Sequence, residues 1–235
     1  MNVSFVIPTL NEEKYIGELL KSILQQTVRP YETIVVDCGS HDNTQSIVRS
    51  YKGVTLLTSD KPVGNQRTYG GKKARGDMLL FLDADAQLPE NFLQESLKQI
   101  RSRSLDIACP QYIPYPGSRS INLFYSFFNA VFKISEKHMP SGAGSAIFVK
   151  RKLFHQMGGF KKELKFDDIQ FIRAAARHGT FGMITTAVRV SDRRIREYGM
   201  LQTVITYIIL SVLFLFGAYR LSNYVPYRFG IFIKK

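Results

Sequence analysis

Asp83 and Asp85 stand one residue apart at the end of an uninterrupted apolar run, Met78-Leu79-Leu80-Phe81-Leu82. Five such residues, bounded by Gly76-Asp77 and by the two acids, are too few for an independent helix and read as a strand buried on both faces. Ligands of an open parallel sheet collect outside the carboxyl ends of its strands, which is where both acids project. Hard carboxylate oxygens in that place suit Mg²⁺ or Mn²⁺ shared with a diphosphate. An Asp-x-Asp by itself is also an ordinary polar turn after a core strand, so the rest of the chain has to decide. A second acid pair, Asp167-Asp168, precedes an apolar stripe of Ile169, Ile172, Ala175 and Ala176 and reads, from the residues alone, as the capped start of a helix.

The elements that must position these acids follow in order. Val3 to Ile7 reads as a strand that Pro8 stops. Ile16, Leu19, Leu20, Ile23 and Leu24 then fall on one helical face, with Asn11 as the expected N-cap and Glu12 and Glu13 in the first turn. Thr33 to Asp37 repeats the pattern, a β-branched strand ending in an acid, followed by the turn-rich segment from Cys38 to Asn43 and a short helix carrying Ile47, Val48 and Tyr51. Val54 to Leu57 reads as a third strand. A basic helix or loop from Gly64 to Ala74, carrying Arg67, precedes the central strand. Pro89 suits a helix N1 position, and Leu105 to Cys109 returns to strand. Alternating strands and helices predict a mostly parallel sheet covered on both faces. Three of its strands would then finish in Pro8-Thr9 with Asn11, in Asp37, and in Asp83 with Asp85, all at one edge. Core packing needs none of these acids, so their coincidence favours a nucleotide crevice. The first strand is followed by no Gly-x-Gly-x-x-Gly, and the chain has no P-loop, so phosphate charge must be met by a metal and by arginines.

Composition narrows the class further. A chain of 235 residues can hold one large α/β domain with a sizeable core. A formal net charge of +13 implies anionic partners: nucleic acid, an anionic membrane surface or phosphorylated substrates. The two cysteines, Cys38 and Cys109, and the four histidines have no metal-ligand spacing, which disfavours a zinc site or a disulfide scaffold and fits a reducing compartment. The N-terminus runs straight into a strand-like segment without a signal-peptide pattern, so a cytoplasmic catalytic domain is expected.

The segments Val6-Ile7-Pro8-Thr9-Leu10-Asn11-Glu12-Glu13, Val35-Val36-Asp37-Cys38-Gly39-Ser40-His41-Asp42-Asn43-Thr44 and Phe81-Leu82-Asp83-Ala84-Asp85, in this order, resemble the nucleotide-binding half of family 2 glycosyltransferases. Gly142-Ala143-Gly144-Ser145, Gly158-Gly159-Phe160 and Phe166-Asp167-Asp168-Ile169 extend the resemblance over residues 1–197. It implies an α/β GT-A fold with a mostly parallel central sheet, a nucleotide-binding half over 1–110 and an acceptor half over 111–197. It further implies a UDP- or GDP-linked sugar donor and Mg²⁺ or Mn²⁺ as cofactor. Asp85 would hold the metal, Asp83 would contact the ribose, the metal or its bound water, and Asp37 would accept a hydrogen bond from the base. Pro8, Leu10 and Glu12 match the base and ribose pocket. Arg67 matches a family arginine, although Thr68 replaces the asparagine that often follows it. Cys38 stands where many relatives have a second aspartate and reads as a small filler.

Asp167-Asp168 resembles the Glu-Asp pair of inverting members, with Asp168 as the catalytic base and Asp167 beside it at the substrate. Arg193, Arg194 and Arg196 lie where relatives carry basic residues near the diphosphate; a basic membrane collar is the equal alternative. Processive synthases of the family have Gln-x-x-Arg-Trp there, and this chain has no tryptophan, which favours transfer of a single sugar. The chain is similar in this respect to dolichyl- and polyprenyl-phosphate sugar transferases. A sugar-nucleotide pyrophosphorylase is the competing enzyme class, opposed by Pro8-Thr9-Leu10-Asn11 where its glycine-rich loop would lie. A non-catalytic basic membrane or nucleic-acid binder is the non-enzymatic alternative.

Residues 198–235 read as a membrane segment with a basic tail. Met200 to Tyr219 carries no charge, and about 20 residues at 1.5 Å each reach the ~30 Å hydrocarbon thickness, so a spanning helix is expected. Basic residues flank both ends, Arg193, Arg194 and Arg196 before it and Arg220, Arg228, Lys234 and Lys235 after it, which leaves a surface-lying hairpin as the alternative. The aromatic run from Ile121 to Phe132 reads equally as a lipid-boundary helix or a buried one. Together these segments predict a lipid-linked or polyprenyl-phosphate acceptor at the cell membrane and no nucleic-acid partner.

Overall fold

A computed structural model describes residues 1–225. Its first half alternates as expected: β1 (Val3–Thr9), α1 (Ile16–Leu24), β2 (Glu32–Asp37), α2 (Thr44–Ser50), β3 (Val54–Thr58), α3 (Val63–Lys73) and β4 (Met78–Leu82). These four strands are parallel and lie in the order β3-β2-β1-β4, so β2, β1 and β4 are neighbours and their carboxyl ends share one edge. The chain moves outward through α1 and α2 and returns inward through α3. Right-handed crossovers therefore put α1 and α2 on one face and α3 on the other. All five residues of β4 are buried, as a strand covered on both faces requires. Phe81 packs against Phe154 and Phe160, at 5.4 and 4.9 Å between ring centres.

Two local expectations change at the end of β1. The strand runs on through Pro8 to Thr9, because β1 pairs with β4 only as far as Val6 and Pro8 is paired on the β2 side alone. A residue without an N–H is tolerated where one neighbour is missing. Asn11 is no helix cap. It takes a left-handed φ of 55°, and its side chain accepts from the His41 N–H, tying the loop after β1 to the loop after β2. The helix starts later, at Ile16. Pro89 likewise lies three residues ahead of α4 (Phe92–Ser102) rather than in its first turn.

The second half completes the same sheet. β7 (Ala146–Lys150) pairs antiparallel to β4, then β6 (Ile107–Tyr115), β8 (Phe181–Ser191) and the short β5 (Ala86–Gln87) follow, with the expected division at residue 110 falling inside β6. Four of the seven strand pairings are parallel. Helices α6 (Arg151–Met157) and α7 (Asp167–Ala175) lie between β7 and β8 in the chain. Beyond Ala108, β6 has left β7, and α5 (Arg119–Ser135) covers the freed side: Asn129 donates to the Tyr112 carbonyl at 2.8 Å and accepts from its N–H at 3.0 Å. One amide side chain thus substitutes for a neighbouring strand.

The expected spanning helix is corrected. After α8 (Arg193–Tyr198), α9 covers only Met200–Leu215, and among the described residues no helix is long and apolar enough to cross a membrane. Sixteen residues reach about 24 Å. At Gly217, with φ 68°, the chain turns so that Tyr219 stacks back on Phe214 at 5.7 Å. Arg173 of α7 donates to the Phe214 carbonyl and holds this end. The side of α9 that carries Thr203, Tyr207, Leu210 and Phe214 packs inward, Tyr207 against Phe124 and Phe128 of α5. Arg228, Lys234 and Lys235 lie outside the described residues.

Replacing Asn129 by alanine strips both partners from the Tyr112 backbone. The variant should unfold with about 1–3 kcal/mol less stability in a urea titration, with the slope against urea unchanged.

Candidate active site

The carboxyl ends of β1, β2 and β4 open into a cavity of about 760 Å³. Pro8, Leu10, Glu12, Asp83 and Asp85 all line it, as does Cys38. Burial pushes the Cys38 thiol up, as does the neighbouring Asp37 charge, so it is a small wall residue rather than an activated nucleophile. Asp37 behaves differently from the expectation that it meets a base. It is fully buried, and its two oxygens accept from the Gly39 and Ser40 N–H groups, from Gln45 Nε2, and from the Thr9 and Ser40 hydroxyls. Burial would raise its pKa, but these donors hold it below the usual carboxylate range. Asp37 therefore shapes the loop that walls the cavity.

Arg67, from α3, stands at the centre. Its Nη2 donates to Asp83 Oδ1 at 2.8 Å and its Nη1 to Asp167 Oδ1 at 2.9 Å, with only 6% of its side chain exposed. The guanidinium thus joins an acid of the nucleotide half to one of the acceptor half. Gly144 closes the group: its N–H donates to Asp168 Oδ2 at 2.7 Å, and a Cβ added there would lie 2.5 Å from Arg67 Nη2. Only glycine fits. Ser145 Oγ donates to the other oxygen of Asp83 at 3.2 Å. Burial pushes Asp167 up to about 7 against the pull of Arg67, with the Asp168 charge adding to the rise. Asp167 Oδ2 and Arg67 Nε are buried with no hydrogen-bond partner among the described residues. Asp167 is therefore the buried counter-charge of Arg67 in the cavity wall, and Asp168, half-buried, lines the same cavity.

Arg193 enters from α8, more than a hundred residues further on. It donates to both oxygens of Glu12, at 2.8 and 2.9 Å, its Nε lies 3.0 Å from Asp85 Oδ2, and its guanidinium sits over the Tyr15 ring. Burial raises the pKa of both Glu12 and Asp85, and Arg193 opposes the rise in each. Arg194 also lines the cavity. Arg196 does not: it is exposed and pairs with Asp192 Oδ1 at 2.6 Å, so only two of the three expected arginines reach the site.

Among the described residues no group of three or more histidine, cysteine or acidic side chains could hold a metal. The donor set that remains is Asp83 and Asp85, two carboxylates beside a cavity large enough for a nucleotide. This fits Mg²⁺ or Mn²⁺, which is commonly held by one or two carboxylates plus substrate phosphates, and not a protein-enclosed site.

Sequence reasoning singled out the aromatic run of α5 as a lipid-boundary or a buried helix, but did not foresee that α9 completes the wall opposite. Beyond Asp168 the cavity is lined by Phe124, Phe128 and Phe132 of α5 and by Tyr207, Leu210 and Phe214 of α9. The one available signal was spacing, since Thr203, Tyr207, Leu210 and Phe214 recur at i, i+4, i+7 and i+11, a single buried stripe within an otherwise apolar run.

The chain matches Glycosyl transferase family 2 over residues 4–161, more than half its length, and belongs to that family. The glycosyltransferase AglE of Haloferax volcanii is 28% identical over 172 residues, covering 69% of this chain and 57% of that protein. The poly(ribitol-phosphate) beta-N-acetylglucosaminyltransferase TarS of Staphylococcus aureus is 33% identical over 115 residues, 46% of this chain and 20% of TarS. The chain thus spans between a fifth and three-fifths of these two relatives. Among solved structures, the mannosyltransferase PcManGT from Pyrobaculum calidifontis, in complex with GDP-Man and Mn²⁺, aligns with a TM-score of 0.65 at 25% identity, covering 80% of this chain and 56% of that one. Residues 1–349 of TarS with UDP-GlcNAc align with a TM-score of 0.68 at 24% identity, covering 82% and 59%, which supports the α/β GT-A fold. Membership in this family sets aside the pyrophosphorylase and the non-catalytic alternative.

Arg67→Met should cost about 3–5 kcal/mol, because it leaves Asp167 charged or protonated in a buried place with no partner. Introducing Asp167→Asn alongside should recover part of that loss, which a double-mutant cycle on thermal unfolding measures.

Proposed function

We propose that this chain is a membrane-attached, metal-dependent, inverting glycosyltransferase that moves one sugar from a UDP- or GDP-linked donor to a lipid-linked or polyprenyl-phosphate acceptor. The observation that carries this reading is a single cavity in which the strand-end acids and Asp168 meet at one side and an aromatic wall stands at the other. PcManGT, whose structure holds GDP-Man and Mn²⁺, supports the donor class and the cofactor.

Departure of a nucleoside diphosphate leaves negative charge on its phosphates and positive charge at the sugar carbon. Asp83 and Asp85 would hold Mg²⁺ or Mn²⁺, which would supply Lewis-acid stabilisation of the leaving phosphates. Glu12 fixes the Arg193 guanidinium, and Arg193 with Arg194 adds fixed positive charge on the same side of the cavity. Pro8 and Leu10 bound the nucleotide. Asp168, positioned by the Gly144 N–H, accepts the proton of an attacking hydroxyl, a contribution of about 10²- to 10⁴-fold. An acceptor that is already a phosphate anion needs no base, and Asp168 then only positions it. With attack from the side opposite the departing phosphate, the sugar carbon inverts.

The outer surface supports attachment to a membrane. Of 20 exposed large apolar residues described, thirteen belong to α5, to α9 or to the segment that follows α9. Such paired helices can lie in the interface plane without crossing it. Nucleotide sugars are cytoplasmic, which puts the catalytic domain on that side of the cell membrane.

A panel of nucleotide sugars with Mn²⁺, scored for slow hydrolysis, should single out one UDP- or GDP-linked donor, and Asp85→Asn should abolish its turnover while leaving the unfolding curve in place. Unchanged turnover in that variant would remove the metal assignment. Asp168→Asn should lower kcat for a hydroxyl acceptor by about 10²-fold or more at nearly constant donor KM, and should leave transfer to a phosphate acceptor nearly intact.

A further inference from the structure

The cavity continues past the acids into a cleft between α5 and α9, and nothing in a nucleotide or a sugar calls for its walls. The six side chains already named there carry no charge. Rings from the two walls meet across its floor, Phe124 stacked on Tyr207 at 5.9 Å and Phe128 edge-on to it at 5.7 Å. With these rings in contact the two walls leave no room between them for a helix, which is about 10 Å across, and the open space is the part of the cavity that the six side chains line. The cleft is flanked by the exposed faces of the same helices, Leu123, Phe127 and Ile134 on α5 and Leu201, Ile205 and Ile208 on α9. Its inner end is charged. Arg194 lines the same cavity as Asp85 and Asp168 of the polar region and Tyr125 and Tyr207 of the aromatic one.

We infer that the cleft between α5 and α9 holds the hydrocarbon chain of an anionic amphiphile, whose phosphate headgroup lies against Arg194 beside Asp168. This rests on the proposed function and deepens it, since it assigns the acceptor a place and a shape. The occupant is one chain with a phosphate end because the cleft is continuous with the donor site, so whatever fills it delivers its polar end to the reacting sugar. The outer faces of α5 and α9, lying at headgroup depth, would set the cleft mouth level with the acyl layer, and the acceptor would slide in sideways without leaving the bilayer. Chain burial then reports directly in affinity, by about fourfold for each methylene removed from water.

The chain has no tryptophan, so Phe128→Trp puts a single fluorophore on the cleft wall and Phe127→Trp puts one on the outer face. The full chain would be titrated with pentyl, decyl and terminally brominated tetradecyl phosphate below their micelle concentrations. The inference expects saturable quenching by the brominated chain at position 128 well above that at 127, and a Kd at least ~tenfold lower for decyl than for pentyl phosphate. Calorimetry on the unsubstituted chain should return the same ratio, which guards against a misfolded variant. Arg194→Gln should weaken decyl phosphate ~tenfold and leave decanol unchanged, as loss of a charge-assisted contact requires. Equal affinity for pentyl and decyl phosphate, or equal quenching at positions 127 and 128, overturns the cleft. Radiolabelled sugar transfer separates the two readings: transfer to decyl phosphate without chain-length dependence overturns the cleft alone. Chain-dependent binding without transfer to any phosphate or hydroxyl lipid overturns the proposed acceptor.

Discussion

A buried guanidinium between two carboxylates is the constraint on which the rest of this structure depends. Arg67 stands beside Asp83 at the end of β4 and beside Asp167 at the start of α7, and both contacts are under 3 Å. Taking Arg67 and Asp167 out of water is costly, and such a cluster adds little net stability over apolar packing. What it fixes is geometry. One planar side chain with several donors sets where an acid of each half of the sheet can lie, and it places Asp168 in the cavity by fixing the residue before it. The glycine at 144 follows from the same arrangement, because no side chain fits between Arg67 and Asp168.

A second cation performs a related task from the other side. Arg193 holds Asp85 and Glu12 together, the latter 181 residues away in the sequence. It comes from the short helix that leads into α9, so the acids at the strand ends and the apolar helix that forms part of the cavity wall are mechanically one unit. Asp192 strengthens the link by accepting from the Gly117 N–H just before α5. The polar and aromatic ends of the cavity are thereby tied through two adjacent residues. That proximity puts a charged region and an apolar wall in one cavity.

The nucleotide half was legible because its signals are local. An apolar run ending in Asp83-Ala84-Asp85, a β-branched strand ending in Asp37, and a Pro8-containing strand end each show themselves within a few residues, and parallel pairing does the rest. The spacing of these motifs also carried the family. What misled was local chemistry overruled by distant partners. Asn11 has the type of a helix cap, yet it bonds to a loop thirty residues away. Asp37 has the position of a ligand, yet five internal donors consume its oxygens. Arg196 belongs to the same basic run as Arg193, but helix geometry turns it outward to Asp192. Met200 to Tyr219 has the composition of a membrane span, and only the turn at Gly217 and the packing of Tyr207 on α5 make it a shorter helix with one buried side.

Sequence by itself determined the alternation of strands and helices, the acids at their ends and the family to which the chain belongs. Those depend on side-chain periodicity and on motifs a few residues long. Tertiary structure alone decided which acids face the cavity and which are internal, that Arg67 and Arg193 join the two halves, and that a hydrophobic stretch becomes the far wall of the site. Each of those outcomes is set by burial and by partners remote in the chain, and neither quantity is a property of any short segment.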